Sequence, residues 1–257
     1  MIGKNVKVLG LGLMATSLVL AACGTAAPAT PVVVEKEKIV EKVVTAAPVV
    51  VKETVVVAAP TAVPAAKPKL LRVNLGTYPD NLDPQKASFV NEIAHLKLVY
   101  EGLTKFDKDL NTVPGAAEKW AYNADGTELT FNLRKGQKYS DGSLLNAKRF
   151  EYSIIRNIDP ATAGEYAFVT NDYIVGANDW GDAAAAEAAA KDDAAKKTAA
   201  DAVKKAMDTV KASVQAQDAA GKPCADYKQE DCLTLKIKLN APTPFFHTIM
   251  ALWVAYP

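Results

Sequence analysis

The chain has 257 residues, 49% of them hydrophobic, with 30 Lys+Arg against 29 Asp+Glu and a formal net charge of +1. That balance leaves no basic excess for a phosphate backbone, and no basic stripe interleaves with aromatics, so nucleic acid is not an expected partner. With only two histidines and three cysteines, there is little material for a metal or nucleophile centre.

In chain order, Lys4 and Lys7 precede the apolar run Val8–Leu20, and small residues then lead into Cys23. This pattern predicts a secretory signal over residues 1–22. The run Leu20-Ala21-Ala22-Cys23 resembles a bacterial lipobox, which implies that Cys23 is the lipidated first residue of the mature protein. A membrane-crossing helix is the competing reading, but the run is shorter than the roughly 20 residues such a helix needs. Lipidation would hold the protein on a membrane surface outside the cytoplasm, at about 0.8 kcal/mol per buried methylene. Residues 23–66 are dominated by Ala, Pro, Thr, Val, Glu and Lys and carry no aromatic residue. The valine triplets have strand propensity and Glu35–Lys42 could form a helical turn, yet nothing there builds a core. The segment is expected to be a tether, with an adhesive or coiled-coil stalk as the alternative. Fully stretched, it would reach on the order of 140 Å.

The folded part is expected from residue 67 onward. Alternation predicts a strand at Leu71–Leu75, followed by a loop at Pro79–Pro84. Phe89, Ile93, Leu96 and Tyr100 recur at helical spacing, with Gly102 expected to close that helix. Leu103–Phe106 reads as a short strand. Turn chemistry at Asn123–Gly126 precedes a strand at Glu128–Leu133 with Leu129, Phe131 and Leu133 on one face. Asn146 is placed as the N-cap of a helix through Asn157, with Phe150 and Ile154 inward and Asp159-Pro160 ending it. An Ala-rich helical insertion is expected over about 182–214, laced by Glu187/Lys191, Asp192/Lys196, Asp193/Lys197 and Asp201/Lys205. In its second half, Val203, Met207, Val210 and Val214 form an apolar seam. Leu233–Leu239 alternates as a strand, and Thr243-Pro244 starts a helix carrying Phe246, Ile249, Met250 and Trp253. The chain stops at Pro257 without a terminating element, as an interrupted fold would.

Candidate chemistry is sparse. Gly10-Leu11-Gly12-Leu13-Met14-Ala15 matches a dinucleotide pattern but lies inside the signal, with no strand before it, and is set aside. His95 and His247 read as packing residues, and no two carboxylates can be paired as acid and base. No catalytic residue, metal or cofactor is assigned, and the chain is not expected to be an enzyme. Cys224 and Cys232 flank a polar loop in a compartment that permits disulfides. Pairing is the favoured reading; independent thiols or, less so, a zinc site are the alternatives.

Several blocks then fall in order: Asn81-Leu82-Asp83-Pro84, Tyr100–Thr104, Val113–Trp120, Leu129–Gly136, Tyr139–Gly142, Asn146–Ser153, and Pro242–Phe246 after Leu233–Leu239. The series resembles the extracytoplasmic solute-binding proteins of peptide ABC transporters, the oligopeptide/dipeptide (family 5) group. The resemblance implies an α/β, periplasmic-binding-protein-like fold (type II, with an extra domain), of which this chain carries the N-terminal portion. Residues 67–113 would begin the first lobe and 114–257 form the extra domain, with the second lobe absent. It also implies a ligand cleft lined by Ser88, Phe89 and Val90, and a tyrosine near the ligand at Tyr166. That tyrosine ends the block Asp159-Pro160-Ala161-Thr162-Ala163-Gly164-Glu165-Tyr166, where Gly164-Glu165 replaces the family's Ser-Pro. Phe89 shares helical spacing with Ile93, so core packing is its competing assignment. The function so implied is a monomeric, lipid-anchored receptor that captures peptides outside the membrane and delivers them to an ABC permease. Another solute, such as a nickel chelate, oligosaccharide or opine-like metabolite, or a role in sensing or adhesion, is the alternative.

Overall fold

Alternating apolar residues decide the sheet, and helical stripes decide what covers it. A computed structural model describes residues 70–257, and within them Arg72–Pro257 form one unit. The signal, Cys23 and the tether lie outside the described residues. The first helix, α1, spans Val90–Val99, later than the spacing from Phe89 predicts. Phe89 is instead its N-cap residue and donates its N–H to Glu92 at the third helical position, 3.1 Å away, one half of a capping box. The helix ends at an extended Tyr100 rather than at Gly102.

Next come the hairpin strands β1 (Thr104–Phe106) and β2 (Thr112–Pro114), then β3 (Ala117–Tyr122) and β4 (Glu128–Leu133). Helix α2 (Ala147–Ile158) runs into a 3-10 turn at Pro160–Thr162 and the short α3 (Phe168–Asn171). Helices α4 (Ala177–Ala189) and α5 (Asp193–Ser213) follow, then β5 (Val214–Gln217), β6 (Thr234–Lys238), the single-turn α6 (Phe246–Ile249) and a 3-10 turn at Trp253–Ala255.

Four strands form an antiparallel sheet in the order β3-β4-β6-β5. Its register stacks Trp120, Phe131, Leu235 and Ala216 in one row and Tyr122, Leu129, Ile237 and Val214 in the next. Because side chains alternate along a strand, both rows face the same way. They meet Phe150 and Ile154 of α2 in one buried cluster. Each such fully buried Leu, Ile or Phe contributes about 1.5–3 kcal/mol relative to exposure.

Several expectations are corrected. Arg72–Leu75 forms no strand. No described segment pairs with it, and an unpaired row of N–H and C=O groups gains nothing from an extended shape. The Ala-rich segment is two helices, because Asp192 leaves the first and caps the second, its carboxylate accepting the Ala195 N–H at 2.8 Å. The break leaves Lys191 outside both helices and turns the Asp192 carboxylate to the Ala195 N–H rather than to Lys196, and among the described residues none of the four expected ion pairs forms. Lys204–Asp208 does, at 2.8 Å, but exposed pairs of this kind contribute little. Asn146 occupies the N-cap without capping. Its amide donates instead to the Gln229 carbonyl at 3.0 Å, tying a distant loop to α2. The expected helix from Thr243 is split into α6 and the final 3-10 turn.

Candidate functional site

Loop 81–89 is built from outside itself. Glu92, only 2% exposed, accepts the Asn81 N–H on Oε1 at 2.9 Å and the Ser88 and Phe89 N–H groups on Oε2 at 2.9 and 3.1 Å. Burial opposes the charged carboxylate, but the N–H groups of Phe89, Ser88, Asn81 and Asp80 outweigh it and hold its pKa below the ordinary value. From α2, the Arg156 guanidinium donates to both carboxylate oxygens of Asp83 and to Gln85 Oε1. The hydrogen bond from Arg156 lowers the pKa of Asp83 against the effect of its partial burial. Gln85 in turn donates to the carbonyls of Val254 and Tyr256, each at 3.1 Å. Trp253 closes the frame by donating its indole N–H to the Ala87 carbonyl at 2.9 Å.

Held this way, the loop presents Ser88 half-buried and Phe89 and Val90 at 61% and 84% exposure. Phe89 therefore does not pack in the core; Leu96 and Ile93 do. The Ser88 N–H is taken by Glu92, whereas its carbonyl and hydroxyl meet no described partner. Tyr166 lies between the 3-10 turn and α3. Its ring meets Trp253 edge-on with centroids 5.0 Å apart and Phe168 at 5.8 Å. Trp253 thus contacts both the loop, through Ala87, and Tyr166, and links the two candidate segments in one cluster.

Gly164 has a structural reason. A Cβ there would lie 2.2 Å from the Gln85 carbonyl oxygen, so only glycine lets the Tyr166 segment approach the loop this closely. Cys224 and Cys232 are joined, with Sγ atoms 2.05 Å apart, remote in sequence from this loop. His247 stacks on Trp120 at 5.2 Å and receives or donates a hydrogen bond with the Tyr122 hydroxyl at 3.1 Å. Burial lowers its pKa, against a hydrogen bond to the Pro244 backbone. Among the described residues no three His, Cys, Asp or Glu gather as a metal site, and no helix is long and apolar enough to cross a membrane.

Sequence reasoning missed the residues that hold the loop. Glu92 had a usable signal, an acid three positions after the helix N-cap. Arg156 had none, since its partners lie 71 and 73 residues away. Trp253 reads from sequence as one more apolar residue of the helix from Thr243, whereas it opens the final 3-10 turn.

Residues 111–257 match the family described as bacterial extracellular solute-binding proteins, family 5 (middle). The chain is 41% identical over 108 residues to the periplasmic oligopeptide-binding protein OppA of Escherichia coli K12, covering 42% of this chain and 20% of that relative. It is 29% identical over 187 residues to the oligopeptide-binding protein OppA of Bacillus subtilis 168, covering 73% of this chain and 28% of that relative. The solved murein tripeptide-binding protein MppA, in its unliganded open form, superposes with a TM-score of 0.50 at 27% identity over 70% of this chain and 28% of that one. An OppA from Haemophilus influenzae, solved with the peptide RPPGFSPFR, shares the fold with a TM-score of 0.51 at 24% identity, over 72% of this chain and 29% of that one. The chain therefore spans between a fifth and under a third of the length of these relatives, and what it carries is part of an α/β periplasmic-binding-protein-like fold. Its place is among the family 5 bacterial extracellular solute-binding proteins.

Proposed function

We propose that this chain belongs to a peptide-capturing receptor of an ABC importer, working outside the cytoplasm and tethered by lipid at Cys23. One observation carries the reading: Glu92, Arg156 and Trp253 fix a loop that offers Phe89, Val90 and the unengaged Ser88 carbonyl beside the Tyr166–Trp253 pair. A preformed rim with the Ser88 carbonyl as a backbone acceptor and aromatic faces beside it suits an extended peptide, whose main chain needs hydrogen-bond partners and whose side chains need roomy apolar contact. Such a rim needs no covalent chemistry, and the relatives are named as binding proteins, which favours a non-enzymatic role. Residues 67–113 would serve as the start of the first lobe and 114–257 as the extra domain, with closure over the ligand by hinge motion and delivery to permease subunits as a monomer.

Calorimetric titration with tetraalanine, on the polypeptide as its host makes it, tests the reading. Saturable binding that weakens about tenfold in Tyr166→Ala, a loss of about 1.4 kcal/mol, is the expected result. Binding unchanged by Tyr166→Ala and by Phe89→Ser would refute the assigned rim. The anchor is tested separately: cells fed labelled palmitate should mark the protein, and Cys23→Ala should remove the label.

A further inference from the structure

A second cleft, of about 670 Å³, lies between α2 and the loop closed by the Cys224–Cys232 disulfide. Its volume is within the few hundred to roughly 1,000 Å³ of small-ligand sites. Neither Ser88–Val90 nor Tyr166 borders it. Tyr152 and Ile155 of α2 line one side, and Pro223 and Tyr227 come from the strand-to-loop segment opposite. The two tyrosine rings meet edge to face with centroids 6.4 Å apart and remain 55% and 36% exposed.

Tyr227 is held in place rather than hanging free. Its ring covers the Arg149 guanidinium at 4.5 Å, the disulfide closes its loop, and the Asn146 amide binds the Gln229 carbonyl two residues on. An exposed aromatic face that is ordered in advance loses little entropy on binding.

The charges around the cleft are lopsided. Lys86, Lys148, Arg156 and Lys211 face only Glu151 and Asp159. Both carboxylates are engaged: Glu151 accepts from Lys148 and from the Ala216 N–H, each at 2.6 Å, and Asp159 accepts the Ala161 N–H at 2.9 Å. Arg156 is committed to Asp83. Lys86 and Lys211 have no ion-pair partner among the described residues. The cleft therefore joins an apolar, aromatic lining to two cations that close no ion pair among the described residues, Lys86 standing near Asp83 and Lys211 near Asp208. A neutral aromatic would leave those cations unanswered, and a bare inorganic anion would leave the rings uncovered.

We propose that this cleft binds a small organic anion with a flat ring body, the ring against Tyr152 and Tyr227 and the acid group neutralised by Lys86 and Lys211. None of Ser88, Phe89, Val90 and Tyr166 lines the site, although Lys86 belongs to loop 81–89 and Arg156 holds that loop. Calorimetry on the purified protein with 2-naphthoate should show saturable binding, and the neutral 2-naphthamide should bind about tenfold more weakly, the order expected for one lost charge contact. Binding should fall with added salt. The double variant Lys86→Met/Lys211→Met, and separately Tyr227→Ala, should weaken 2-naphthoate about tenfold or more, with the lysine variant still unfolding in one cooperative transition. Leu98→Ser, on the exposed face of α1, should leave the affinity as it was. Equal affinity for acid and amide, indifference to the lysine substitutions, loss of binding in Leu98→Ser, or no saturable binding at millimolar ligand would each overturn the proposal.

Discussion

Glu92 uses both carboxylate oxygens on the backbone of a loop that precedes it, and it holds the N–H groups of both Ser88 and Phe89. Glu92→Gln keeps the shape but replaces one acceptor with a donor facing N–H groups that have no other partner. Chemical denaturation should find the variant less stable by about 1–3 kcal/mol, the usual cost of stranding buried donors. The pH response has a definite sign. Glu92 and Asp83 both hold native pKa values below their ordinary 4.5 and 3.8. Their contribution is therefore fully present above those ordinary values and is lost as pH falls through the lowered native ones. Denaturant midpoints should fall gently below about pH 6.5, where His247, its native pKa lowered by burial, protonates more readily in the unfolded chain, then fall more steeply below about pH 5, and that second drop should be shallower in Glu92→Gln. A slope identical to that of the unaltered protein would disprove the role given to this carboxylate.

Among the elements, β4, β6 and α2 were legible because their signals are local. Leu129, Phe131 and Leu133 alternate within six residues, Leu235 and Ile237 do the same, and Phe150 with Ile154 marks one helix face. Strands β2, β3 and β5 were not legible. In β3 the buried, exposed and intermediate positions do not alternate cleanly, and β5 continues without a break from α5, so Val214 reads as one more helical seam residue. Pairing with Ile237 of β6 makes it a strand, a tertiary decision that overrides local propensity. The α4–α5 hairpin shows the same split between packing and pattern. Its charged pairs were prominent in the sequence and carry little, while Val210 is fully buried. Val210→Ala should cost about 1–3 kcal/mol, whereas Asp201→Ala, on the exposed side, should stay within about 0.5 kcal/mol; thermal unfolding of the two variants distinguishes them. Comparable losses at both sites would mean the surface charges carry more than the seam.

For the whole molecule, the candidate rim depends on groups far apart along the chain. Loop 81–89 was recognisable from its motif, but its geometry was not, since the hydrogen bonds that set it join residues 85 and 87 to residues 253–256. Such contacts leave no mark in a local window. Trp253 is the strongest single link, 8% exposed and shared by the loop and Tyr166. Trp253→Ala should therefore lower stability by about 3–5 kcal/mol and speed amide hydrogen exchange at Ala87–Phe89 more than in β4. Exchange that quickens uniformly would indicate a general loss of core rather than release of the loop.

The bond from the Trp253 indole to the Ala87 carbonyl spans 166 residues, and that separation orders events in time. A polypeptide made from its N-terminus onward has produced the loop long before the tryptophan that fixes it, and closing so long a span is slow. During synthesis, Glu92 can cap Ser88 and Phe89 early, but the brace at Ala87 waits until the ribosome has passed Trp253, so the candidate rim is among the last surfaces to take its final form.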